Sequence, residues 1–471
     1  MDVIVVSTNS IEQENFWQER LRQTLPDLLG EKKLIIAVHE DWPGGAGNGL
    51  GTLHAFMRAR EKGVILYGTD IVDSLNDDAS ISIYHTAGKG KRLAPLGLSE
   101  SGNKSSVLLP GIPRMTLLEA VIKQTCQLTH GVKRRVSVFW GDQVFISSKK
   151  YLPKNHVDIF AAFRPFPSEK EWIQDKLNAY GILGKSPQGK VVQIEKASYN
   201  QLLNLAGEGI IHSSEKIGLS FGSFSMSREL FMAFMDEFEN EVYRQIGQMD
   251  TDPHFWMPLA LPENKYIDIM VKKGSDAESA RLHHLRIQKF KKDFEKTSSK
   301  ELFGAFDIGS DYYWWDYGSA NKYAQSVLKA LDNSAEGAAV RQFYGLPEPD
   351  ENNNILIDTK LGSGSVKNSL LMDVEAEEVS IQNSVIIESK LRKFSGSGCL
   401  LYRTRENQAL YMTPGTMRSD VCMNGEHFAF YSSLARDGKA DWNHRLPQNP
   451  YSYEHVYKNL TMKTPSFFKA H

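Results

Sequence analysis

Cysteine is scarce. Cys126, Cys399 and Cys422 are the only three in 471 residues, an odd number without the paired spacing of a metal knuckle. A disulfide framework is therefore excluded, and a reducing compartment is expected. Long apolar runs are missing as well: none reaches the roughly 18 residues that a membrane span needs. The first residues lack the charged-then-apolar pattern of a secretory signal, so a cytoplasmic location is expected. Neither sign of charge is in excess, with 55 Lys+Arg against 57 Asp+Glu and a net charge of −2. No general basic surface remains to hold a nucleic-acid backbone, and any anion binding has to be local.

What is present suits a folded chain with more than one core. Hydrophobic residues make up 41% and charged residues 24%, ordinary values for a globular protein. A chain of 471 residues exceeds what one core usually supports, which points to a larger domain and a smaller module. Residues 2–7 and 34–38 are short apolar runs that read as strands buried on both faces. Between them Phe16, Trp17, Leu21 and Leu25 have helical spacing that Pro26 is expected to stop. Strand, helix, strand in this spacing opens a doubly wound α/β sheet. Five glycines then fall within residues 44–51, ahead of a helix expected over residues 53–61. Such a run is either a flexible linker or a ligand loop. As a ligand loop, Gly47, Asn48 and Gly49 would offer main-chain groups to a base or ribose.

The chain is organised around residues 80–109. Ile81, Ile83 and Tyr84 form a buried strand, and His85-Thr86-Ala87-Gly88-Lys89-Gly90-Lys91-Arg92-Leu93 turns out of it, with Gly102-Asn103-Lys104 beyond. Glycines at 88 and 90 allow a tight turn and bring bare amides against an anion. Lys89, Lys91, Arg92 and Lys104 supply positive charge for phosphate oxygens. An ordinary strand-to-helix turn carrying surface lysines has the same composition. Further on, Asp142 follows Gly141 at the end of an apolar strand. There it either caps the next turn or projects where open α/β sheets bind ligands. Residues 179–196 read as a hairpin that ends in Glu195-Lys196. These two are either an exposed strand end or a carboxylate for hydroxyls beside an ammonium for phosphate. Residues 219–226 read as a strand and residues 228–243 as one amphipathic helix. Asp252 before Pro253 reads as a helix N-cap. The basic stretch 281–300 reads as a solvated helical face.

Residues 85–96 resemble the signature loop of the sugar-nucleotide pyrophosphorylases: a strand, a glycine turn, Arg92-Leu93, then Pro95-Leu96, and a later lysine. The likeness extends over residues 80–325, with Gly141-Asp142, a hairpin from Tyr180-Gly181 to Glu195-Lys196, and Trp314-Trp315-Asp316-Tyr317-Gly318 in the family's order. Some eighty residues precede the loop, and Gly47-Asn48-Gly49 with Thr52-Leu53 stands among them, a layout similar to the fucose-1-phosphate guanylyltransferases. Lys89, Ala94 and Ala197 depart from the pattern. The resemblance implies transfer of a nucleotidyl group from GTP to fucose 1-phosphate, or uridylyl transfer to a hexose 1-phosphate. It implies Arg92 and Lys104 as catalytic residues, and nucleotide contacts at Gly47, Asn48, Gly49, Ala87, Gly88, Lys89 and Gly90. Sugar phosphate would be bound by Gly181, Glu195 and Lys196, and magnesium by Asp142 and Asp316. A non-catalytic nucleotide-sugar binding protein is the contrasting class, and it would need neither aspartate.

After residue 331 the composition turns to small, polar and β-branched residues. Val366-Lys367-Asn368-Ser369-Leu370-Leu371 recurs as Ile381-Gln382-Asn383-Ser384-Val385-Ile386, and more faintly from Gly396 to Leu401, each time after 15 residues. A fixed period of short β-segments is what a parallel β-helix requires. The expected architecture is a Rossmann-like nucleotidyltransferase domain over 1–335 and a β-helix domain with its tail over 336–471, the tail from Trp442 packing back on the coils. The partners expected are a nucleoside triphosphate and a sugar 1-phosphate, not a nucleic-acid polymer or a membrane, and the β-helix offers a surface for a second copy.

Overall fold

A computed structural model describes residues 2–212 and 216–460. Contacts divide the chain into two interleaved units. The first is Met1–Ala87, Thr125–Trp140 and Ile146–Tyr312; the second is Gly88–Gln124, Gly141–Phe145 and Tyr313–His471. No helix among the described residues is long and apolar enough to cross a membrane.

The first unit is built on a nine-stranded mixed sheet. Val3–Thr8 lies between Leu34–His39 and Ile81–His85, parallel to both, and Arg135–Trp140 extends the parallel set. Ile217–Ser227 then pairs antiparallel with Arg135–Trp140, Val157–Arg164 and the hairpin strand Gly181–Lys185. Val3–Thr8 and Ile81–His85 are buried along their whole length, and residues 3–6 accordingly read as an unbroken apolar run.

Several helices depart from the expectations. Ile11–Leu29 runs past Pro26 and ends at Gly30, which adopts the left-handed conformation at φ 68°. Burial of Trp17, Leu21 and Leu25 on one stripe holds this helix through the proline. The glycine-rich run is a loop only through Ala46, which leaves Gly44 and Gly45 ahead of a helix. Gly47–Tyr67 is a single helix that begins inside it. The amphipathic stretch after residue 227 is two helices, Arg228–Glu237 and Glu239–Arg244, broken at the buried Phe238. The basic helix Ala277–Glu295 is more than a solvated face, because Ala280, His284, Ile287, Phe290 and Phe294 are buried at helical spacing.

In the second unit, parallel strands stack at a constant register. Ile355 faces Leu370, Leu370 faces Val385, and Val385 faces Leu400, each step being 15 residues. Two corners recur with the same period and explain it. Asn353, Asn368, Asn383 and Gly398 all have positive φ, as do Asp358, Asp373, Glu388 and Arg403. Asparagine and glycine tolerate that conformation at least cost. Behind the first corner, Ser384 N–H donates to Ser369 Oγ at 3.1 Å and Cys399 N–H donates to Ser384 Oγ at 3.1 Å. Leu371, Ile386 and Leu401 fill the interior with Val379 and Phe394. The regular stacking starts one coil earlier than the recognised repeat, at Ile355. The segment after Ser433 buries Trp442, Tyr453 and Val456 against Ala94, Leu98, Val421 and Phe430. The rest of the expected tail, residues 461–471, lies outside the described residues.

Candidate functional site

In the second unit, Gly88 and Gly90 take positive φ of 106° and 57°. A Cβ on Gly90 would lie 2.8 Å from Lys104 Cβ, so glycine is required there by the close passage of Lys104. The turn continues into the short 3-10 helix Lys91–Leu93, which carries Arg92. The tail braces it: Gly438 has no space for a side chain because its Cβ would lie 2.5 Å from Lys91 O. Lys91 Nζ stands 5.5 Å from the Trp442 ring and Lys89 Nζ 5.9 Å from that of Tyr457.

Lys104 Nζ donates to Asp142 Oδ2 at 2.9 Å. Burial pushes the Asp142 carboxyl up, but the Lys104 charge and hydrogen bond, with the Arg92 charge beyond, outweigh it and hold the group below its ordinary value. Asp316 ends the strand Tyr313–Asp316. Its Oδ1 accepts from Gly318 N–H at 2.7 Å, and its Oδ2 pairs with Lys322. Tyr317 N–H donates to Asp142 O at 3.0 Å, which ties the two aspartate-bearing segments together. Gly318 stands at the centre. A Cβ there would lie 3.0 Å from Asp316 Oδ1, 3.6 Å from Arg92 Nη2 and 3.8 Å from Asp142 Oδ2. The absent side chain thus leaves a small cradle faced by one guanidinium and two carboxylates. Asn103 Oδ1, buried beside Lys104 in sequence, has no hydrogen-bond partner among the described residues.

In the first unit, the helix Gly47–Tyr67 begins against the segment at Met249. Gly49 N–H donates to Met249 O at 2.8 Å, Asn48 N–H to Asp250 Oδ1 at 2.9 Å, and Thr251 N–H to Asn48 Oδ1 at 2.6 Å. A Cβ on Gly49 would meet Met249 O at 2.9 Å. The glycines are therefore accounted for by protein packed on protein, and the amides of Asn48 and Gly49 are already taken.

The hairpin sets Gly181 opposite Glu195. Glu195 pairs with Lys196 at 2.9 Å and with Lys273. Burial alone would raise the Glu195 carboxyl, but these two lysines hold it below its ordinary value. Asp252 is not a helix N-cap. It lies inside the π-helical turn Thr251–Trp256, whose N-cap position is Asp250. Burial first and the Glu195 charge second push the Asp252 carboxyl up to about 7.

The residues expected to act therefore fall into two clusters. Arg92, Lys104, Asp142 and Asp316 come together in the second unit, on and beside the loop of Gly88, Lys89 and Gly90. Gly181, Glu195 and Lys196 meet in the first unit, where the helix start at Gly47, Asn48 and Gly49 rests on the 249–251 segment that leads to Asp252. Ala87 is the last residue of the first unit before the glycine turn. Sequence reasoning missed Lys322, whose signal was a lysine six residues after Asp316. It also missed Lys273 and Gln193, for which no sequence signal existed, since fold alone brings them beside Glu195 and Asp252.

Comparison of the chain with protein-family models gives no match. Comparison with curated proteins gives none either.

Proposed function

We propose that the chain is a sugar-1-phosphate nucleotidyltransferase that releases pyrophosphate, with GTP and fucose 1-phosphate as its substrates. One observation carries this reading: Arg92, Asp142 and Asp316, from three separate stretches, converge on the Gly318 cradle beside Lys104. A guanidinium, an ammonium and two carboxylates gathered about one glycine are the charges that a triphosphate with a hard cation needs. In this reading the first sheet is a doubly wound, Rossmann-like nucleotidyltransferase domain spanning 1–335. The 15-residue coils are then a parallel β-helix domain spanning 336–471.

The attacking group, a phosphate oxygen of the sugar 1-phosphate, is already an anion and needs no general base. It bonds to the α-phosphorus while the bond from that phosphorus to the bridging oxygen breaks, and the electron pair leaves with pyrophosphate. Positioning and charge neutralisation are then the protein's work. The Arg92 fork grips the leaving pyrophosphate with the amides around Gly88 and Gly90, and Lys104 offsets charge between the reacting phosphates. In the first unit, the resemblance assigns Glu195 to sugar hydroxyls and Lys196 to the sugar phosphate. Among the described residues no group of three or more His, Cys, Asp and Glu could hold a metal. Asp142 and Asp316 are a pair of hard oxygen donors, which suits magnesium if substrate oxygens complete its shell. Magnesium so bound supplies neutralisation of the developing charge.

A thermal-shift series with GTP, UTP, ATP and CTP in magnesium, followed by pyrophosphate release across a panel of sugar 1-phosphates, tests this. GTP with fucose 1-phosphate is expected to give the largest shift and the fastest release. Inhibition of product formation by UTP alone would refute the guanylyl assignment and favour uridylyl transfer to a hexose 1-phosphate. Release with no pair of substrates refutes the reaction class.

A further inference from the structure

Gln193 is fully buried at 0% exposure, yet neither Oε1 nor Nε2 completes a hydrogen bond among the described residues. Its amide lies close enough to Asp252 to pull that carboxyl down, but without the geometry of a formed bond. A buried polar group left in this state is destabilising, so its presence asks for a partner that the described residues do not supply. Along the strand Val191–Glu195, Gln193 and Glu195 lie on one face because side chains alternate. Across from them Gly181 leaves a gap. A Cβ there would lie 3.4 Å from Asp252 Oδ2 and 3.5 Å from Gln193 Nε2, with Ser220 Cβ at 3.2 Å.

The chemistry of that gap narrows its occupant. A cation is disfavoured by Lys196 and Lys273, and an anion by Asp252 and Glu195. An apolar group would leave the amide of Gln193 unpaired. An alcohol can both donate and accept, and so can satisfy an amide and a carboxyl together. We infer that Gln193 and Asp252, facing each other across Gly181, read one ring hydroxyl of the sugar and so set which sugar 1-phosphate is accepted. This rests on the reading of Gly181, Glu195 and Lys196 as the sugar-phosphate site. Burial favours the protonated form of Asp252, and in that form its O–H can donate to the hydroxyl oxygen, which also accepts from the Gln193 Nε2 that faces Gly181.

The test is calorimetric titration of the full chain with fucose 1-phosphate, its monodeoxy analogues and inorganic phosphate. It compares the parent with Gln193→Met and Asp252→Asn, the melting temperatures reporting that each variant folds. One deoxy analogue should bind the parent roughly tenfold more weakly than fucose 1-phosphate, the loss expected for one buried hydrogen-bonding group left unpaired. Gln193→Met should weaken fucose 1-phosphate by a similar factor while leaving that one analogue and inorganic phosphate unchanged. Should the parent bind sugar phosphates and both variants bind them equally well, the hydroxyl assignment is overturned and the proposed function stands. An equal loss for every ligand, inorganic phosphate included, would show a structural role and overturn the assignment as well. Failure of the parent to bind any sugar phosphate overturns both readings.

Discussion

Asp252 shows how burial and a like charge act on a single residue. Its carboxyl, raised to about 7 by burial and by Glu195, binds a proton more tightly in the folded chain than in the unfolded one. Its contribution to stability is therefore full below the ordinary carboxylate range and lost as pH rises toward about 7. Lys196 and Lys273 face it from the hairpin and from the end of the helix Glu263–Lys272, and Asp250 and His254 share its own segment. Because His254 and His283 also titrate below their usual range, the informative quantity is a difference from Asp252→Asn. Denaturant unfolding at about pH 5 and about pH 8 should show the parent losing roughly 1–2 kcal/mol more than the variant across that interval. Equal changes in the two proteins would mean that Asp252 ionises normally. At Arg92 the question is shape, not charge. Arg92→Lys keeps the cation but removes the planar fork, so pyrophosphate release should fall roughly tenfold or more. A variant as fast as the parent would make Arg92 structural.

At the scale of elements, the glycine-rich helix start and the 15-residue coils show what can be read from a sequence. Short apolar runs such as residues 2–7 and 34–38 were legible because a strand buried on both faces has no polar positions to confuse it. The Asn-Ser repeat was legible because a left-handed corner and a hydroxyl ladder each demand a particular side chain once per coil. The helix at Gly47 was not, since its glycines answer to Met249, some two hundred residues away, and no local pattern records that contact. Gly49→Ala weighs the two effects directly. Alanine gains about 1 kcal/mol of helix propensity, but its Cβ would lie 2.9 Å from a backbone oxygen that cannot swing aside. Overpacking of this kind costs roughly 1–3 kcal/mol, so a net loss of stability is expected on denaturant unfolding, and a gain would contradict the packing account. In the coils, Asn383→Gly should be nearly neutral, whereas Asn383→Ala should cost about 1 kcal/mol at its positive φ of 52°. Equal effects of the two substitutions would remove the corner argument.

At the scale of the whole molecule, a nearly neutral chain concentrates opposite charges in a few places. Arg92, Lys104 and Lys322 balance Asp142 and Asp316 around one glycine, and net charge gives no hint of it. The candidate site was legible where one short stretch carries it, as in residues 85–96, and where a glycine precedes an aspartate at a strand end. It was illegible where fold alone sets the neighbours, as with Lys273 and Gln193. The measurement that bears most directly on the nucleotidyltransferase reading is pyrophosphate release from GTP, fucose 1-phosphate and magnesium by the parent chain and by Asp142→Asn, with matched melting temperatures. The parent should turn over, and the variant should lose several kcal/mol of transition-state stabilisation, roughly a thousandfold in rate. Release by Asp142→Asn at the parental rate would contradict that reading.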